Sequence, residues 1–187
     1  ECLTRDNISS LLENCHGIVD WYSVLFKETS VKLWLSYLYG ILFYQTHQKR
    51  ADFFQIYHFS DKTKDNVKSL VRNGDDILSR LNEKYFSNSS IYFLLRDLDE
   101  ERIIFLLAYN KEERAQKRIT HYLTGLRRIS LSISGKDLIQ AGIQPGKIYK
   151  HIFEETLKAR LDEKILKNEE LHYALLIEKE AREGSFE

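Results

Sequence analysis

The sequence predicts an all-α fold, a multi-helical body followed by a basic helix and a helix-turn-helix tail. Three observations carry this. Apolar residues recur at helical spacing in almost every segment. Glycine and proline are scarce, at eight and one in 187 residues. Alternating apolar–polar stretches are nearly absent: "RISLSISG" (Arg128 to Gly135) is the one candidate, too short and isolated to form a sheet. With 43% apolar and 12% aromatic residues, the chain has material for a sizeable core.

The elements follow in order. Ile8, Leu11, Leu12, Cys15, Ile18, Val19, Tyr22 and Leu25 form one stripe of a first helix. Ser30 can cap a second, whose Leu33, Leu35, Leu38, Ile41 and Leu42 leave it apolar nearly all round. That stretch carries Lys32 and polar residues at helical intervals, so it reads as a core helix and not as a membrane span. Ser60-Asp61 starts another helix, Asn73-Gly74 marks its stop, and a further amphipathic helix runs to about Phe86. The serines between Ser87 and Ser90 read as loop and cap. Two short helices follow, separated near Asp97–Asp99, the second opening with Asp99, Glu100 and Glu101 where a helix N-terminus favours acids. A basic helix from Lys111 to about Arg128 has Ile119, Tyr122, Leu123 and Leu126 as its apolar side. The chain ends in an acidic amphipathic helix. A boundary is placed near Asn110, dividing a helical body (1–110) from a basic tail (111–187).

Net charge is zero, but its distribution is uneven. Between Arg114 and Lys150 stand eight basic residues (Arg114, Lys117, Arg118, Arg127, Arg128, Lys136, Lys147 and Lys150) against one acid, Asp137. Such a run is either a solvated face or the footprint of an anionic partner. Catalytic patterns are missing. The six histidines are scattered without zinc spacing, and Cys2 and Cys15 make neither a metal pair nor a disulfide framework. The Asp-x-Asp of "RDLDEER" has no glycine-serine loop or strand beside it and reads as a helix cap. No catalytic residue and no metal ligand is assigned. The start at Glu1 and the lack of any methionine suggest a piece of a longer protein, and the polar N-terminus does not resemble a secretory signal. The expected location is the cytoplasm, with no membrane partner.

The basic run coincides with "ISGKDLIQAGIQPGKIYKHIFEETLKARLDEKI" (Ile133 to Ile165), which contains the only proline. Ser134 is placed to cap a short helix from Gly135 to about Ala141, supported by Asp137. Gly142 suits the left-handed residue that ends it. Pro145 fits the first turn of the next helix, and Gly146 leaves that turn's amides uncovered. Two helices joined by a tight turn would thus present amides and a positive dipole end, flanked by Lys147 and Lys150, to a phosphate. The same glycines and proline would equally serve the turn alone.

These residues resemble the C-terminal region of bacterial tRNA nucleotidyltransferases, the CCA-adding or A-adding enzymes of the class II poly(A) polymerase-like family. Arg118, Tyr122, Leu123, Thr124, Leu126 and Arg127 match that family's arginine-rich "YLTxLR" helix. Ser134, Gly135, Asp137, Leu138, Gly142, Pro145, Gly146, Tyr149 and Ile152 match "ISGxDLxxxGxxPGxxYGxIL". Ala159, Arg160, Leu161, Asp162 and Ile165 match "ARLDGxI". Upstream the likeness is looser, with Trp21, Trp34 and "FSDK" at Phe59 to Lys62. Lys150 and Glu163 stand where the family has glycine, and the second departure is expected to be neutral.

The resemblance implies an all-helical body and tail that grip the tRNA backbone, while a catalytic head and neck elsewhere in the same polypeptide add the 3′-terminal CCA or A. That head would need Mg and ATP or CTP; no cofactor is implied for the present region. The implied nucleic-acid-binding residues are Arg114, Lys117, Arg118, Arg127, Arg128, Ser134, Gly135, Lys136, Pro145, Gly146, Lys147 and Lys150, taken to present one surface. Two other classes stay open from the residues themselves: a generic helix-hairpin-helix module for DNA, and a structural or dimerisation domain.

Overall fold

The computed structural model describes residues 5–27 and 31–183, with side chains from residue 8 onward. These form helices α1 (Arg5–Leu25), α2 (Leu33–Phe43), α3 (His47–Ile56), α4 (Asp61–Asn82), α5 (Asn88–Leu95), α6 (Glu100–Tyr109), α7 (Glu113–Thr124), α8 (Gly135–Gln140), α9 (Ile148–Leu161) and α10 (Glu170–Glu183). Short 3-10 turns lie at Leu126–Arg128 and Lys167–Glu169. There is no strand among the described residues, as the all-α reading requires, and no described helix is long and apolar enough to cross a membrane. Ser30, expected as a cap, lies outside the described residues; α2 starts with Lys32 as its N-cap, whose amide donates to Glu101 Oε1 at 3.0 Å.

The chain folds as two units, Glu1–Lys84 with Asp97–Thr120, and Tyr85–Arg96 with His121–Glu187. The sequence placed one boundary near Asn110. The difference arises at α7, most of which goes with the first unit, and at α5, whose Ile91 and Leu95 are buried and which packs on α9 in the second unit. The side chain of Asp162, just past α9, accepts from the Ser89 amide (2.8 Å) and hydroxyl (2.9 Å). Together with the Ser87 cap, which accepts from Ser90 N, it satisfies amides of the α5 N-terminus that have no helical partner.

In the first unit α6 is the central element, packed by α1, α2 and α4. Every residue from Glu101 to Ala108 is buried, and four of them, Ile103, Ile104, Phe105 and Leu106, are at most 2% exposed. Each such side chain contributes roughly 2 kcal/mol of burial. At its start Asp99 caps Arg102 N at 2.9 Å and also takes the Tyr39 hydroxyl. Helix α4 does not stop at Asn73-Gly74 but runs unbroken to Asn82. Gly74 is buried, and a Cβ there would sit 3.0 Å from Phe43 Cε2, so this glycine permits close packing and does not end the helix.

The second unit is organised around α9 and a buried carboxylate. Glu170, fully buried at the start of α10, accepts from Ser132 N (2.6 Å), Ser132 Oγ (2.7 Å) and Arg160 Nε (2.7 Å). Arg160 also donates to the Ile165 carbonyl at 3.0 Å. Burial pushes the Glu170 carboxyl up, but the Ser132 and Arg160 hydrogen bonds outweigh it and hold the group below the ordinary carboxylate range. Helix α9 ends in a Schellman pair, Lys164 N to Ala159 O (2.9 Å) and Glu163 N to Arg160 O (3.2 Å). The left-handed residue of that motif is Glu163, at φ 56°.

Two predictions follow from these features. Glu163→Gly removes left-handed strain and raises unfolding free energy by roughly 0.5–1 kcal/mol in urea titration, net of the extra chain entropy of glycine. Glu170→Gln leaves Arg160 without its buried charge partner and costs roughly 3 kcal/mol. Because the folded Glu170 pKa is depressed, its contribution is present above the unfolded carboxylate pKa of about 4.3 and is lost as pH falls below it. Thermal melts from pH 7 to pH 3 check this, with a flatter acid limb in Glu170→Gln than in wild type.

Candidate nucleic-acid interface

Leu138, Ile143, Ile152 and Ala174 form a buried cluster that fastens α8 and α10 to α9, with Ile133, Ile148, Tyr149 and Phe153 packed against it. Helix α8 is short and sharply bounded at both ends. At its start the Asp137 carboxylate accepts from Ser134 N and Ser134 Oγ, both at 2.7 Å. Those bonds, the hydroxyl first, hold Asp137 below the usual carboxylate range. At its end, Ile143 N reaches Leu138 O (3.0 Å) and Gly142 N reaches Ile139 O (2.9 Å), a second Schellman pair. Gly142 stands at φ +89°, the left-handed conformation that its place in the sequence demanded.

Pro145 is not in the first helical turn as expected. Helix α9 begins at Ile148 with Lys147 as N-cap, so Pro145 and Gly146 form the exposed bend ahead of it. The reason is the α8 terminus: Ile143 is spent on the bond that ends α8 and on the buried cluster, and residues 144–147 make the turn before α9 begins. Among the described residues, the amides of Gly146, Lys147 and Ile148 have no acceptor, whereas Tyr149 N bonds Gly146 O at 3.1 Å. Space around Gly146 is open, and a Cβ there would touch nothing within 4 Å.

Tyr149, which was not among the residues assigned to the site, holds the bend in shape. Its hydroxyl donates to Ile143 O at 2.8 Å, and its ring lies 3.6 Å from where a Gly135 Cβ would stand. The first residue of α8 and the first turn of α9 thereby meet through the Tyr149 ring, and Lys136, Lys147 and Lys150 are all exposed. Among the described residues these three lysines make no ion pair. Arg127 and Arg128 sit in the 3-10 turn that contacts α5, Arg127 half-buried and Arg128 exposed.

The three upstream cations belong to the first unit. Arg114 donates to Asn82 O at 2.5 Å, and Arg118 to Leu81 O (2.7 Å) and Glu83 O (2.8 Å). They thus close the carbonyl end of α4, while the Asn82 side chain accepts from Ala115 N (3.1 Å) in the first turn of α7. Burial, and then the neighbouring Arg114 charge, lower the Arg118 pKa from its ordinary value. Lys117 pairs with Glu113 at 2.6 Å on the exposed face. Helical spacing alone does not reveal these carbonyl partners, which lie more than thirty positions away in sequence.

No family model matches the chain. The A-adding tRNA nucleotidyltransferase of Geobacter sulfurreducens is 24% identical over 182 residues, covering 90% of this chain but 20% of that protein. Among solved structures, the Thermotoga maritima CCA-adding enzyme complexed with tRNA aligns at a TM-score of 0.72 and 21% identity, over 94% of this chain and 42% of that one. A CCA-adding enzyme with ATP aligns at 0.70 and 22% identity, over 96% and 42%. The chain therefore spans a fifth of the curated relative and about two-fifths of the solved ones. It shares its fold with part of the CCA-adding enzymes and its sequence pattern with an A-adding one, and a C-terminal region of a tRNA nucleotidyltransferase is what both likenesses fit.

Proposed function

We propose that this chain is the tRNA-holding part of a tRNA nucleotidyltransferase, and that a head elsewhere in the polypeptide performs 3′-terminal CCA or A addition. The observation that carries the reading is the paired helix start. Gly135 and Tyr149 bring two first turns into contact, the amides of Gly146, Lys147 and Ile148 are unbonded, and each turn carries exposed lysines, Lys136 on one and Lys147 and Lys150 on the other. Amides and lysines in this arrangement suit a phosphate, not a base edge. That fits a partner recognised by backbone shape, as a protein acting on every tRNA requires. The likeness to an enzyme solved with tRNA supports the choice of tRNA over duplex DNA.

In this reading Lys136, Lys147, Lys150 and the backbone at Gly135 and Gly146 touch phosphate, with Ser134 and Pro145 shaping the turns and Arg127 and Arg128 adding charge. Arg114, Lys117 and Arg118 make a separate contact on the first unit. The expected location remains the cytoplasm, where tRNA is found.

Binding to tRNA and to duplex DNA of equal charge, measured across a salt series, tests the proposal. Wild type should prefer tRNA with a steep salt dependence. Lys147→Glu/Lys150→Glu should weaken binding and lower the slope of log K against log salt by about 2. Equal binding to both nucleic acids would favour a generic helix-hairpin-helix module, and absence of binding at low salt would favour a structural role.

A further inference from the structure

Within the second unit, a shallow cavity of about 300 Å³, open to solvent, is lined by Tyr92 of α5, by Ile129, Ser130 and Leu131, and by Phe153, Glu154 and Leu157 of α9. We propose that it receives a single unpaired RNA nucleobase, next to the phosphate contact at the Gly135–Lys150 turn. The inference rests on the RNA-binding reading above and extends it from backbone to base.

Three observations select this occupant. The size lies at the small end of ligand pockets, roughly 300–1,000 Å³, which suits one ring system and not a helix. Its walls are apolar and aromatic, while Ser130 and Glu154 supply a hydroxyl and a carboxylate at the edge. Unstacked RNA bases are bound in this manner, by stacking on rings and by hydrogen bonds along their edges. Thirdly, the cavity adjoins the turn. The Phe153 ring centroid is 6.2 Å from that of Tyr149, whose ring rests against Gly135. Arg128 directly precedes the lining segment, and Lys158, paired with Glu155 at 2.6 Å, follows Leu157. An apolar side chain from a protein partner would fill the same walls but leave Glu154 without a donor.

Glu154 makes the test a matter of sign. Among the described residues its side chain makes no ion pair or hydrogen bond. A carboxylate that merely faces a polyanion repels it, so Glu154→Gln would then tighten RNA binding. A carboxylate that accepts amino or imino N–H groups from a base does the opposite on removal. Binding of the whole chain to tRNA should therefore weaken about fivefold or more in Glu154→Gln, at an unchanged salt slope. Ser130→Trp, which fills the cavity from an exposed position, should weaken tRNA binding roughly 5- to 150-fold, the range for losing one stacked base. Its affinity for a blunt RNA duplex of equal charge should not change. Unchanged or tighter tRNA binding in Glu154→Gln overturns the proposal while leaving the phosphate reading intact. If wild type shows no salt-dependent tRNA binding, both fall together.

Discussion

One buried carboxylate sets the terms for the second unit. Glu170 is charged and out of contact with water, so its environment must supply donors to every accessible lone pair. Ser132 provides two and Arg160 a third. Those bonds tie the extended segment before α8, the end of α9 and the start of α10 to one point. Asp162, two residues after Arg160, then fastens α5 through Ser89. The "ARLD" pattern is thus explained by packing: its arginine and its aspartate each secure a different neighbour of α9. A helix held at its far end can present its first turn at a fixed place, which a phosphate contact needs.

The turn itself follows from the same economy of partners. Two Schellman endings, at Gly142 and at Glu163, finish α8 and α9. In the first, glycine meets the left-handed geometry without strain; in the second, glutamate tolerates it. The sequence reading took the replacement of glycine by Glu163 as neutral, but the backbone angle shows a strained position. Tyr149 connects the two helix starts by one hydrogen bond and one ring contact. The proposed phosphate site is therefore built from backbone amides and lysines, and held in shape by Tyr149, which lies outside the proposed contact.

Features written in local pattern were legible. The all-helical class, the caps at Ser60, Ser87, Asp99 and Ser134, and the left-handed Gly142 all depend on residues within about four positions of one another. What was not legible depends on distant neighbours. Gly74 has the signature of a stop, yet Phe43 of another helix requires its small size. The α5 segment reads as part of the body, yet its apolar side matches α9, more than fifty positions later. Arg114 and Arg118 read as a basic track, and only the fold reveals the α4 carbonyls they cover. Pro145 was placed one turn too late because the span needed to leave α8 cannot be counted from residue types.

The central claim is that backbone amides at the paired helix starts meet phosphate. Hydrogen exchange of the chain with and without tRNA tests it most directly. Gly146, Lys147 and Ile148, whose amides lack acceptors, should exchange fast alone and slow markedly on tRNA addition. Gly135 and Lys136 should slow with them. Protection confined to other segments, with these amides still fast in the saturated complex, would contradict the account.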